Sequence, residues 1–218
     1  MSRKTFTCPD ASCRRCPRLS AFLDKNRRLY PDFHNAPVPS LGDLDAELLI
    51  VGLAPGLKGA NRTGRPFTGD FAGDLLYGCL HNFGFSTGEY KARPDDGVRL
   101  VNARLTNAVR CVPPENKPTG DEVRRCGEYL ADEIDAMPNL KVVLALGGLA
   151  HNAVLSVLGQ KKSAFKFAHN ALHELDWNGR RVLLLDTYHT SRYNVNTGKL
   201  TPEMFVNVFK TLSGIVNP

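Results

Sequence analysis

No apolar run in this 218-residue chain reaches the ~18 residues needed to cross a bilayer. The longest candidates, around Leu48–Leu53 and Val142–Leu149, are short and run into glycine, so an integral membrane protein is not expected. The N-terminus lacks the apolar stretch of a secretory signal, and lipid-anchoring motifs are missing as well, which makes a cytoplasmic address the expectation. Internal repeats and low-complexity tracts are absent, which excludes solenoids and compositionally biased linkers.

What is present is an ordinary globular balance, 42% hydrophobic and 23% charged residues, in a length that suits one core. Residues 1–218 are read as one domain, with 1–40 as an N-terminal strap. The net charge of +6 favours a polyanionic partner such as nucleic acid. Six cysteines in a reducing compartment are metal ligands, catalytic thiols or buried apolar residues before they are disulfides.

From Glu47 onward, short β-branched runs alternate with amphipathic segments. Leu48–Val51 and Val142–Leu146 read as buried strands, Leu100–Ala108 as an extended segment with a strand, and Asp70–Phe83 and Gly148–Leu158 as helices. Thr119-Gly-Asp-Glu122 matches a capping box that opens a helix to about Met137. Trp177-Asn-Gly179 joins Leu172–Asp176 to Arg181–Asp186 as a hairpin, and Pro202 starts a last helix that runs to about Leu212. The fold expected is an α/β/α sandwich around a small, mainly parallel sheet, with its ligand site in the loops after the strands.

The first such loop, Gly52 to Gly73, holds six glycines and two prolines in 22 residues. Glycine lets backbone N–H groups approach an anion closely, although a structural surface loop has the same composition. The loop is neither a Walker A motif nor a dinucleotide fingerprint, so nucleotide hydrolysis and hydride transfer lose their main support. Among the cysteines, Cys13-x2-Cys16 is a chelating pair, and Cys111 and Cys126 have 14 residues between them. Two such pairs suit tetrahedral zinc or a [4Fe–4S] cluster equally. Cys8 is a competing ligand candidate, and Cys79 is expected to be a small buried hydrophobe.

Gly52-Leu-Ala-Pro-Gly56 followed by Asn61-Arg-Thr-Gly-Arg-Pro-Phe-Thr-Gly-Asp70 closely resembles the first motif of the family 5 uracil-DNA glycosylases. Thr106-Asn-Ala-Val-Arg-Cys111, with its Pro113-Pro114 and Asn116-Lys-Pro118 tail, is similar to a second segment of that family. His189-Thr-Ser-Arg192 looks like its His-Pro-Ser-Arg motif, with Thr190 in place of proline. The resemblance implies removal of uracil from single- or double-stranded DNA in base-excision repair, with hypoxanthine and other deaminated bases as further substrates. It also implies that Cys13, Cys16, Cys111 and Cys126 hold a [4Fe–4S] cluster in a structural role. A non-catalytic damaged-base or abasic-site binding protein on the same fold is the alternative.

Carried over residue by residue, the resemblance makes Asn107 the reader of the uracil edge, since an amide offers the donor and the acceptor that O4 and N3–H require. Phe67 stacks on the flipped base, and Gly52, Ala54 and Gly56 shape the pocket. His189 donates to uracil O2. Asp70 orients or deprotonates the attacking water, with Asn116 assisting. Simple helix capping is the competing account of Asp70. Leu53 stands where many uracil-DNA glycosylases carry a polar residue, and Thr190 is expected to loosen its loop. Arg192 or Tyr193 fills the gap in the duplex, while Arg62, Arg65, Lys117 and Ser191 contact phosphates, with solvated surface as the plain alternative. No lysine is placed to form a Schiff base, and the protein is expected to act as a monomer.

Overall fold

A computed structural model describes residues 6–218. Helix α1 (Pro17–Leu29) is followed by an irregular strap and by strand β1 (Leu48–Gly52). The glycine-rich loop contains a short helix, α2 (Ala60–Thr63), and leads into α3 (Phe71–Asn82). A small ribbon, β2 (Ser86–Thr87) with β3 (Arg99–Leu100), precedes β4 (Ala103–Asn107). Then come α4 (Gly120–Ala136), β5 (Val142–Leu146) and α5 (Gly148–Val157). The hairpin of β6 (Leu172–Trp177) and β7 (Arg180–Thr187) is followed by α6 (Arg192–Asn196) and α7 (Pro202–Ser213).

The main sheet has the order β4-β1-β5-β7-β6. Its first four strands are parallel, and β6 pairs antiparallel with β7. Every residue of β1, β4 and β5 is buried, as expected for strands covered on both faces. Alternation divides the core in two. Leu48, Ile50, Leu105, Leu144 and Leu185 pack against α3 and α7 through Leu76, Leu80, Phe205 and Phe209. Leu49, Val51, Val143, Ala145 and Leu184 pack against α4 and α5 through Leu130, Ile134, Val154 and Leu155. The α/β/α sandwich expected from the sequence is therefore present, with cysteine Cys79 in the first core.

Local signals account for most boundaries. Both halves of the Thr119–Glu122 capping box form, and Thr201 accepts from the Met204 N–H ahead of Pro202. Asn178 and Gly179 both take positive φ, 52° and 77°, which a two-residue hairpin turn of matching twist requires. One polar seam crosses the apolar interior. Glu133, fully buried on α4, accepts from Arg104 Nε at 2.6 Å, Thr106 Oγ1 at 3.0 Å and Arg110 Nη2 at 2.5 Å. Arg110 Nη1 also donates to Ser40 Oγ at 2.6 Å, so this seam ties the strap to the sheet. Among the described residues, no helix is long and apolar enough to cross a membrane.

Candidate active site

Because β1, β4, β5 and β7 run parallel, the residues after each strand gather at one end of the sheet. They enclose a cavity of about 490 Å³ lined by Ala54, Gly56, Phe67, Asp70, Asn107, Asn116, His189 and Ser191, among others. Eight residues singled out in the sequence thus meet, although they come from three separate segments. Gly52 lies beneath them. A Cβ there would fall 2.6 Å from Asn107 Oδ1 and 2.7 Å from Phe67 Cζ, so only glycine lets the aromatic ring and the amide lie side by side.

Asn107 ends β4 and is 4% exposed. No hydrogen bond engages its side-chain amide among the described residues, which leaves the donor and acceptor for a ligand. Phe67 holds a left-handed backbone, φ 51°, fixed in part by Tyr90 Oη donating to its carbonyl at 3.3 Å. Such strain persists where surrounding structure over-determines it.

Asp70 stands at the N-cap of α3 but makes no side-chain capping bond. Its carboxylate turns into the glycine loop instead: a Cβ on Gly59 would come within 2.1 Å of Oδ2, and one on Gly56 within 3.2 Å. Oδ1 is buried without a hydrogen-bond partner. Burial pushes the Asp70 carboxyl above its ordinary value, opposed by the Gly73 amide, the His189 charge and the Ala72 amide, the amides acting from outside capping geometry. Burial likewise pushes His189 below its ordinary value, and Asp70 opposes that shift. The two groups face each other, with the imidazole favoured in its neutral form.

Thr190 does not loosen its loop. It is fully buried and donates to the Ala72 carbonyl at 3.2 Å, tying the β7–α6 turn to the first turn of α3. Asn194 Nδ2 donates to the His189 carbonyl at 2.8 Å, and Ser191 Oγ accepts from the Asn194 N–H, so Ser191 caps α6 as well as lining the cavity. Asn116 is exposed on the cavity lip with φ 57°. Arg192 lies over the Phe71 ring, 5.5 Å from its centroid, and Tyr193 is 74% exposed. Arg62 and Lys117 are exposed too.

Arg65 does not fit the expected phosphate contact. It is 5% exposed, bonds Asp96 with both terminal nitrogens at 2.6 and 2.7 Å, and lies over the Tyr77 and Tyr90 rings. Its task is to brace the glycine loop, and burial removes it from DNA. Conversely, Phe167, Tyr188 and Lys199 line the cavity without having been singled out as site residues. Lys199 Nζ lies 5.2 Å from the Tyr188 ring centroid, so a lysine does stand at this cavity. Behind Phe167, His151 and His173 both hydrogen-bond the buried Asp186 carboxylate, at 2.8 and 3.1 Å.

Away from the cavity, Cys13, Cys16, Cys111 and Cys126 line one small recess together with Arg15, Arg110 and Tyr129. None of them is in a disulfide. The Arg110 N–H donates to Cys126 Sγ at 3.3 Å. Cys8 does not join them; its sulfur lies 3.9 Å from Arg110 Nη1.

The sequence profile of the Uracil DNA glycosylase superfamily matches residues 39–213. The chain is 44% identical to a type-5 uracil-DNA glycosylase of Thermus thermophilus, over 99% of this chain and all of that protein. It is 41% identical to a type-5 uracil-DNA glycosylase of Pyrobaculum aerophilum, over 91% of this chain and 87% of that one. A type-4 uracil-DNA glycosylase of Archaeoglobus fulgidus is 30% identical over 82% of this chain and 76% of its own length. With a site assembled at the carboxyl ends of the strands and relatives that align from end to end, the chain belongs to the uracil-DNA glycosylase superfamily and is grouped with its type-5 members.

Proposed function

We propose that this protein hydrolyses the N-glycosidic bond of deoxyuridine in DNA, releasing uracil for base-excision repair. The observation that carries the reading is the meeting of an unengaged amide, Asn107, a carboxylate with one unpartnered oxygen, Asp70, and a desolvated imidazole, His189, in one cavity. Asn107 Oδ1 accepts from uracil N3–H while Nδ2 donates to O4, and Phe67 packs on the ring face. As the C1′–N1 bond breaks, its electron pair leaves with N1, and neutral His189 donates to O2 where that charge gathers. Ionised Asp70 faces the positive charge growing on the sugar and orients the water that attacks C1′, with Asn116 at the lip beside it. Leu53, also at the cavity, is apolar and activates no water. Exposed Arg62, Lys117, Arg192 and Tyr193, with Ser191 on the cavity wall, meet the DNA strand.

The cavity volume lies in the range that takes ligands larger than a pyrimidine, so hypoxanthine is included among the proposed substrates. Cys13, Cys16, Cys111 and Cys126 are proposed to hold a [4Fe–4S] cluster. Four free thiols around one recess, with Arg15 and Arg110 beside them, suit the net negative charge of such a group. When bound it supplies a covalent cross-link between the N-terminal strap, the segment after β4 and helix α4, and no electrons for hydrolysis. Purified protein is expected to contain about four iron atoms per chain; stoichiometric zinc without iron overturns this assignment. For the reaction itself, the purified chain is incubated with oligonucleotides carrying one uracil or one hypoxanthine, and free base is quantified. Release of uracil is expected; folded protein that binds the uracil strand without releasing base overturns the reading.

A further inference from the structure

A groove larger than the cavity that holds Asp70 adjoins it. This groove of about 700 Å³ runs between α4 and α5 and shares two of its lining residues, Leu53 and Leu149, with the base pocket. Leu149, in the first turn of α5, is 65% exposed, an unusual place for a large apolar side chain that faces two cavities. Val123 and Val157 form apolar walls, and Asn152 offers an amide. The cations Arg124 and Lys162 also line it. Its one lining carboxylate, Glu128, is engaged by Arg15 at 2.5 Å, whereas no ion pair engages Lys162 among the described residues.

We propose that this groove is a second nucleotide subsite, which takes the nucleotide next to the uracil in the same strand. The inference rests on uracil occupying the cavity around Asn107. A nucleotide held there is joined to its neighbour by a single phosphodiester, so the neighbour must lie within one linkage of the pocket, and the groove begins at the pocket's own wall. Leu149 then stands between the two bases as an apolar divider, in the way wedge side chains hold a step apart. The apolar walls accept the base or sugar face, and Arg124 and Lys162 meet its phosphates. Such a subsite makes the strand bend at Leu149 and separates the flipped base from its neighbour before the bond breaks.

The test uses single-stranded oligonucleotides in which uracil is the terminal nucleotide at the 5′ or the 3′ end, extended on that side one nucleotide at a time while the other side stays constant. Single-turnover excision gives a half-saturating enzyme concentration for each. On one side, the first added nucleotide is expected to improve half-saturation about tenfold. Ser156, exposed in the last turn of α5 and lining the groove, is replaced by tryptophan to fill it. Ser156→Trp is expected to erase that gain while excising terminal uracil like the wild type, and Leu149→Ala is expected to reduce the same gain. An unchanged length dependence in Ser156→Trp, in protein whose melting matches the wild type, overturns the proposal. Asn107→Asp separates the two failures. If it keeps full activity on every substrate, the base pocket itself is misplaced, whereas if it is impaired and Ser156→Trp is normal, only the groove assignment falls.

Discussion

Asp70 and Asp96 are two carboxylates anchored to the same glycine-rich loop, and their surroundings are opposite. Asp96 accepts from both terminal nitrogens of Arg65 and from the Lys91 and Val98 amides. The Arg65 hydrogen bonds hold its carboxyl well below the usual carboxylate range, against the opposing effect of burial. Asp70 has one oxygen buried with no partner, and burial moves its carboxyl upward. A carboxylate whose bonds are all made within the protein holds the loop in place. One left incomplete at a cavity is available to a water or a sugar.

The largest effect expected from breaking this comparison is on chemistry. Asp70→Asn and Asp70→Ala should lower the single-turnover rate of uracil release by about 10²–10⁴-fold, with melting temperatures near the wild type because no cap bond is lost. Asp96→Asn should do the reverse. It leaves the buried Arg65 guanidinium without its counter-ion, at a cost of about 3–5 kcal/mol in stability, read by denaturant unfolding, while the folded fraction still carries intact Asp70 and His189. The pH dependence has a definite sign. A carboxyl depressed in the folded state contributes stability above its unfolded pKa of about 3.9 and loses it as pH falls toward the folded value. The wild type should therefore exceed Asp96→Asn fully near neutral pH, and the gap should close on acidification below about pH 4.

A smaller loss, ~1–3 kcal/mol in kcat/KM, is expected for Asn107→Asp, since an ionised carboxylate cannot donate to O4. Equal kcat/KM in variant and wild type would assign the base edge to another residue. The smallest effect belongs to the exposed cations. Arg192→Ala should weaken DNA binding a few-fold and reduce the salt slope by about one, with the choice of base unaltered. Binding titrations at several salt concentrations check this, and an unchanged slope would remove Arg192 from the phosphate contacts.

The strands, the capping box and the hairpin were legible because each rests on neighbours in sequence: the run Leu48–Gly52, Thr119 with Glu122, Asn178 with Gly179. The pocket motifs were legible because their residues come in unbroken blocks. Arg65 was not, since its partner Asp96 lies 31 residues away on the connection between β2 and β3, and a buried pair of that separation leaves no local pattern. Phe167, Tyr188 and Lys199 escaped for the same reason, as they reach the cavity from the α5–β6 connection, the end of β7 and the turn before α7. The four-residue helix α2 and five-residue helix α6 are too short to show a period. Thr190 reads as a loosening of its loop because it stands where the motif has a rigid proline, and the buried hydroxyl that restores the rigidity, bonded to Ala72, is a tertiary contact.

The claim that Asp70 is reserved for the reaction is tested most directly by the single-turnover rate of uracil release as a function of pH, in the wild type and in Asp70→Asn. The raised Asp70 carboxyl predicts a wild-type rate that falls on acidification, with a midpoint above the ~3.9 of an ordinary aspartate, and that this acid limb is missing from the residual activity of Asp70→Asn. An acid limb of the same midpoint in Asp70→Asn, or a variant as fast as the wild type at neutral pH, would contradict it.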